Sequence, residues 1–185
     1  MMDLGNKPTL VGKKIILRPF NVVEDFPYLE ECLKDDEVLE FTGSSPEFNR
    51  EDTINWYKTR NKPTDRLDLA IIDKSNNILV GEAVVNSFDE TNQCMNYRIL
   101  IGPRGRNQGF GTEATQLMLD YVFNHTDLNQ LTLSVFAFNP RALKVYEKAG
   151  FVIESVDKND LEFEGEWIDS INMKLTRGNW MRLLG

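Results

Sequence analysis

Arg104-Gly105-Arg106-Asn107-Gln108-Gly109-Phe110-Gly111-Thr112 is the stretch on which the fold of this chain turns. Before it runs Tyr97-Arg98-Ile99-Leu100-Ile101, an apolar strand that Gly102-Pro103 terminates. After it, Ala114, Leu117, Met118 and Tyr121 recur at i, i+3, i+4 and i+7, one face of a helix. The unit is therefore strand, glycine-rich turn, helix. Gly109 and Gly111 lack a Cβ, so a ligand can approach the backbone there. The N–H groups that open a helix have no intrahelical partner and lie at the positive end of its dipole. Together they suit phosphate groups. Arg104 and Arg106 add charge, and a guanidinium can grip an anion with two parallel bonds. The same residues also fit a plain tight turn whose charges face solvent.

Two familiar phosphate motifs are absent. A Walker A loop ends in Gly-Lys-Ser/Thr, and here Thr112 follows Gly111 with no lysine; nor is G-x-G-x-x-G present. What is present is R-x-x-G-x-G, on Arg106, Gly109 and Gly111.

The chain has 185 residues, room for one sizeable core and little for a second domain. A net charge of −8 argues against nucleic-acid binding, which needs a basic face, and is compatible with a cationic substrate such as an amine. No run of about 18 apolar residues suggests a membrane span. The segment Met1-Met2-Asp3-Leu4-Gly5-Asn6-Lys7 has no apolar core and does not read as a signal peptide. Two cysteines, Cys32 and Cys94, are too few for a disulfide framework, which makes a cytoplasmic location the expectation. Neither has a histidine nearby, so neither a metal site nor a catalytic thiol is expected.

In chain order, residues 10–20 read as a first strand that Pro19 stops. Asn21 with Glu24 three residues on fits a helix start, and Phe26, Leu29, Cys32 and Leu33 continue the helix to about Lys34. A loop follows through Thr42-Gly43-Ser44-Ser45-Pro46. Asn49 caps a second helix carrying Ile54 and Tyr57. Phe41, Phe48, Trp56 and Tyr57 cluster here, either as packing or as an acceptor pocket. Residues 67–73 and 78–86 form a hairpin across Lys74-Ser75-Asn76-Asn77. Residues 87–93 form a polar connection, and 94–101 form the strand that feeds the glycine turn. The helix after the turn reaches about Asn124. His125, at its far end, suits the dipole rather than catalysis. Residues 131–135 alternate as a strand, which implies a parallel βαβ unit. Asn139 and Pro140 open a further helix that Gly150 closes. A strand begins at Phe151, and residues 160–163 and 167–175, around a Glu164-Gly165 turn, form a closing hairpin with Ile171, Met173 and Leu175 toward the core.

Asn139-Pro140-Arg141-Ala142-Leu143-Lys144-Val145-Tyr146-Glu147-Lys148-Ala149-Gly150-Phe151 resembles a signature of the GNAT acyltransferases, N-x-x-A/S followed by Y-E-K-x-G-F. The R-x-x-G-x-G turn resembles the pyrophosphate-binding signature of the same family. Leu17-Arg18-Pro19-Phe20 with Glu24-Asp25, and the end from Gly165 to Met173, resemble the branch that acetylates ribosomal-protein N-termini. The tyrosine-bearing segment is also similar to spermidine acetyltransferases. The resemblance implies an α/β (α+β) fold over residues 1–185 as one domain, with a mixed central β-sheet, splayed at the cofactor site, and helices on both faces.

It also implies direct acetyl transfer from acetyl-CoA, as co-substrate and without a metal, to a primary amine: a protein N-terminus, a polyamine or a small molecule. The pyrophosphate would lie on the turn formed by Asn107, Gln108, Gly109, Phe110, Gly111 and Thr112, with Arg104 or Arg106 alongside. The pantetheine arm would pair with Ile99, Leu100 and Ile101 and bond to Asn139. Tyr146 would protonate the departing thiolate, since a phenol near pKa 10 holds its proton at neutral pH. Relatives often carry a base Glu where this chain has Asn96, which takes up no proton. Glu82 on the neighbouring strand is the substitute, with a water chain or an already neutral amine as alternatives. Glu113 is read as structural. A CoA-binding protein of this fold without acetyl transfer is the second reading. A monomer or homodimer is expected, with no nucleic-acid or membrane partner.

Overall fold

The computed structural model describes residues 2–45 and 47–185, so Pro46, placed in a loop above, lies outside the described residues, as does Met1. Alternating apolar residues build an eight-stranded sheet: β1 (Leu10–Val11), β2 (Ile15–Arg18), β3 (Leu67–Asp73), β4 (Ile78–Asp89), β5 (Cys94–Ile101), β6 (Gln130–Phe136), β7 (Val152–Phe163) and β8 (Glu166–Thr176). Their spatial order is β1-β2-β3-β4-β5-β6-β8-β7. Only β5 and β6 run parallel, joined by the helix that follows the glycine turn; the other neighbours are antiparallel.

The sheet carries a core on each face. In β3 the side chains alternate: Leu67, Leu69 and Ile71 join one core, Ala70 and Ile72 the other. The first core is covered by α4 (Phe110–His125), α5 (Pro140–Ala149) and α6 (Arg177–Leu184), through Ala114, Met118, Val122, Tyr146 and Trp180. The second is covered by α1 (Val22–Lys34), α2 (Asp36–Thr42) and α3 (Arg50–Lys58), through Phe26, Leu29, Val38 and Tyr57. Helices therefore lie on both faces of a mixed sheet, as the resemblance implies.

Several expectations are corrected. Residues 10–20 are two paired strands, Leu10 opposite Leu17, because the chain folds back through Gly12, Lys13 and Lys14. The cap at α1 works through Asp25, which accepts from the Asn21 N–H at 2.8 Å, rather than through Glu24. Asp25 is free to do so because Arg18 grips the same carboxylate with two bonds, at 2.7 and 2.8 Å. The loop after Lys34 contains α2. Asp35 caps it by accepting from the Val38 N–H at 3.1 Å, and Gly43 closes it in the left-handed region at φ 63°. The C-terminal α6 also has its own cap, Thr176 to the Asn179 N–H. Strand β7 starts at Val152 and continues to Phe163, held along β8.

Candidate active site

Between β5 and β6 the pairing stops early. It joins Cys94 to Gln130, Met95 to Leu131 and Asn96 to Thr132, yet β5 continues to Ile101 and β6 to Phe136. The strands separate beyond Asn96, so β5 loses its neighbour on that side over Tyr97–Ile101. The gap opens into a cleft of about 540 Å³. Ile99, Leu100, Ile101, Arg106, Asn107, Gly109, Phe110, Gly111, Thr112, Asn139 and Tyr146 all line it. Of the residues expected to bind the cofactor, only Arg104 and Gln108 are not part of that lining.

The glycine turn takes its shape from two left-handed residues, Asn107 at φ 61° and Gly109 at φ 78°. Asparagine tolerates that region and glycine adopts it freely. Gly109 is the N-cap of α4, so the first N–H groups of the helix are unpaired and open toward the turn. Gly111 has ordinary helical geometry. A Cβ there would meet only Val145, Ile99 and Ile101, at 3.8–3.9 Å, on the cleft side. The bare backbone of Gly111 thus faces the space between β5 and α5.

Asn139 caps α5: its Oδ1 accepts from the Ala142 N–H at 3.2 Å, and the residue lines the cleft. Tyr146, two turns further along α5, is buried at 5% exposure. Its ring sits edge-on to Tyr97 and Phe151, with centroids 6.3 and 6.0 Å away. Burial pushes its phenol up to about 12, opposed by the backbone of Ile99 and by Arg98. The hydroxyl is therefore a proton donor with no tendency to ionise at neutral pH. Tyr97 is tied to α4 through Thr115 at 3.0 Å.

The arginines of the turn are engaged elsewhere. Arg106 is ion-paired with both Asp35 and Glu37, and the second oxygen of Glu37 is ion-paired with Arg141 at 3.1 Å. Arg104 pairs with Glu31 at 2.8 Å. Glu37 thus joins α2, the glycine turn and the first turn of α5, three of the elements that border the cleft. No local sequence signal announces this clasp, because its partners lie some seventy residues apart in sequence. A second residue missed by the sequence reading is Lys14, whose Nζ donates to the Gln108 carbonyl at 3.1 Å.

Glu82 lies on β4 opposite Leu100, at 2% exposure. It faces a smaller cavity under α3, lined also by Leu33, Asp52, Thr53, Trp56, Tyr57 and Arg98. Tyr57 donates to its Oε2 at 2.9 Å, and Arg98 lies 3.6 Å from Oε1. Burial raises the proton affinity of Glu82; Arg98 and the Tyr57 bond oppose that shift. Arg98 lines both cavities and so connects Glu82 to the main cleft. Asn96 lines the main cleft and donates to the Asn86 side-chain oxygen at 3.5 Å. The aromatic group divides: Phe41 lines the cleft, Tyr57 holds Glu82, Phe48 packs on the second core, and Trp56 lies under Arg60 at 3.7 Å. His125 stacks on Tyr121 at the end of α4 remote from the turn. Glu113 accepts from the N–H groups of Lys13 and Lys14 and so fastens the β1–β2 turn to α4. Among the described residues, no helix is long and apolar enough to cross a membrane, and no three His, Cys, Asp or Glu side chains converge on a point that would hold a metal ion.

Comparison with known proteins gives the family and the fold. Residues 14–152 match the family model described as the acetyltransferase (GNAT) domain. A spermidine N(1)-acetyltransferase of Vibrio cholerae is 23% identical over 111 residues, which cover 60% of this chain and 64% of that enzyme. The chain therefore spans just under two thirds of that curated relative. Among solved structures, a Vibrio cholerae spermidine N-acetyltransferase in complex with CoA and spermine superposes with a TM-score of 0.82 at 19% identity, covering 92% of this chain and 99% of that one. A putative ribosomal-protein-serine acetyltransferase from Vibrio cholerae gives 0.70 at 21% identity, over 95% and 99%.

Proposed function

Because the chain belongs to the acetyltransferase (GNAT) family, we propose that it transfers an acetyl group from acetyl-CoA to a primary amine by direct attack. The observation that carries this reading is the splay of β5 from β6. It opens a path from the unpaired N–H groups of α4 to the Tyr146 hydroxyl. The residues present fit acetyl-CoA along that path. Backbone N–H groups at Gly109 to Thr112 suit phosphates. The open edge of β5 at Ile99 to Ile101 offers backbone partners to a peptide-like arm, and the Asn139 amide adds a donor.

When bound, acetyl-CoA supplies an acyl group already activated as a thioester. Tyr146 holds the proton that the departing sulfur takes up. Glu82 is the proposed base, reached through the Arg98 side of the cleft; its burial favours the protonated form and so makes it a better proton acceptor than an ordinary carboxylate. The acceptor is a primary amine, with polyamines and protein N-termini both supported by the names of the relatives. The net charge of −8 also favours a cationic substrate.

A thiol-release assay tests this directly. Wild-type protein is given acetyl-CoA with spermidine, spermine, peptides beginning in Ser or Ala, and free amino acids. Amine-dependent CoA release is the expected result. CoA binding without release for any amine would favour the alternative of a binding protein that has the fold and lacks the chemistry.

A further inference from the structure

The phosphates of CoA need counter-charge, and the two arginines that the sequence offers are already committed. Arg106 is shared by Asp35 and Glu37, and Arg104 is held by Glu31. Arg106 is held between two carboxylates in a half-buried site, and Arg104 is drawn toward Glu31 through its Nε. Resting on the acetyl-CoA reading above, we infer that Lys14, on the turn between β1 and β2, is the cation that binds the phosphoryl groups.

Three observations converge on it. The Lys14 ammonium donates to the Gln108 carbonyl at 3.1 Å and pairs with no carboxylate among the described residues. It lies 3.7 Å from where a Cβ on Gly109 would stand, at the N-cap of a 16-residue helix. A cation beside the positive end of a helix is repelled by the dipole, so this placement is unfavourable until an anion joins it. Finally, the backbone of Lys14 is not free to drift. Glu113, in the first turn of α4, accepts its N–H at 3.1 Å and also that of Lys13. Glu113 is thus a positioning residue. It ties the β1–β2 turn to the same helix end that offers the N–H groups, and this fixes where Lys14 starts. In a chain with net charge −8, the helix dipole, the bare glycine backbone and an ammonium without a carboxylate meet at one point. One charge-assisted bond to a phosphate is worth about tenfold in affinity.

Calorimetric titration of the full chain at low salt tests this, with CoA and dephospho-CoA as probes. Lys14→Gln should weaken CoA about tenfold, and Lys14→Arg should restore most of the loss. The difference should shrink as salt is added, since the group is exposed. Arg104→Gln should change the affinity little. A loss that disappears with dephospho-CoA places Lys14 on the 3′-phosphate; a loss that persists places it on the pyrophosphate; each supports the assignment. Equal CoA affinity of wild type and Lys14→Gln overturns it. A wild-type chain that binds no CoA would instead overturn the acetyl-CoA reading itself. The melting temperature of ligand-free Lys14→Gln should match wild type, since the side chain is exposed and its one bond is to a turn carbonyl.

Discussion

The two faces of the sheet are built by different rules. On the α4–α5 face, from β5 to Gly150, the caps and turns that shape the cleft follow from neighbours within a few residues. Gly102-Pro103 ends the strand, Gly109 caps α4, Asn139 and Pro140 open α5, and Gly150 closes it in the left-handed region at φ 105°. On the α1–α3 face the decisive contacts join distant residues: Arg106 with Asp35 and Glu37, Arg104 with Glu31, Tyr57 with Glu82. Backbone devices are written locally, because a cap or a turn is satisfied within one helical turn. Ion pairs across a fold are not. The first face therefore supplies a cleft whose backbone could be anticipated, and the second a set of charges that could not.

The sharpest way to break this contrast is at the backbone. If the cofactor groove depends on bare backbone at Gly111, then Gly111→Val should abolish stabilisation by CoA. The fold should survive, since the added Cβ meets only ordinary contacts. Wild type should gain stability with CoA by mass action, and a thermal-shift series reads both proteins. Equal stabilisation of the variant would remove the phosphate from this turn.

The next largest effect concerns Tyr146, the proposed proton donor on the readable face. Tyr146→Phe removes the hydroxyl and keeps the ring between Tyr97 and Phe151. Turnover should fall by about 10²-fold with little change in KM for acetyl-CoA. Because burial pushes the phenol up to about 12, its proton is retained on the alkaline side. Wild-type activity should not decline near pH 10, where an ordinary tyrosine would be losing its proton. Unchanged turnover in the variant would make Tyr146 a packing residue.

These two positions show what was legible. The parallel βαβ unit and the glycine that caps α4 stand in the sequence because each is satisfied by near neighbours, whereas the role proposed for Tyr146 comes from the family resemblance, its spacing alone fitting a core aromatic. Helices α2 and α6 were missed for a physical reason: each buries a single residue, Val38 and Trp180, so neither displays a periodic apolar face. Their caps, Asp35 with Gly43 and Thr176, were the only local signals. The engagement of Arg106 was not legible at all, since nothing near Arg106 distinguishes a guanidinium that meets phosphate from one that meets carboxylate.

That engagement predicts a moderate effect. Arg106→Gln leaves Asp35 and Glu37 without their shared partner, and both oppose a half-buried site. The loss lies between that of a surface pair and that of a buried one, roughly 1–2 kcal/mol. For a chain of this length that lowers the melting temperature by about 3–6 °C. Added salt should narrow the gap by screening the remaining carboxylates. An unchanged melting temperature would mean that the clasp holds α2 in place without contributing to stability.

The smallest effect is expected on the α1–α3 face, at Glu82 beneath Tyr57. In the unfolded chain its carboxyl titrates near 4.5; in the fold burial raises it. Below 4.5 both states hold the proton and the acid costs nothing. As pH rises from there through the folded value, the unfolded chain sheds its proton first, so Glu82 reduces stability progressively across that window. Glu82→Gln keeps an oxygen to accept from Tyr57 and removes the charge. Its stability should therefore match wild type in acid and exceed it at pH 8. The same variant tests the base. If Glu82 takes the amine proton, kcat/KM should show one inflection common to amines of different pKa, and Glu82→Gln should remove it. If no side chain serves, kcat/KM should rise tenfold per pH unit and level at the pKa of each amine, near 8 for an α-amine and near 10.4 for an aliphatic one. An inflection that stays fixed across amines and survives in Glu82→Gln would defeat both accounts and point to another group on the cleft wall.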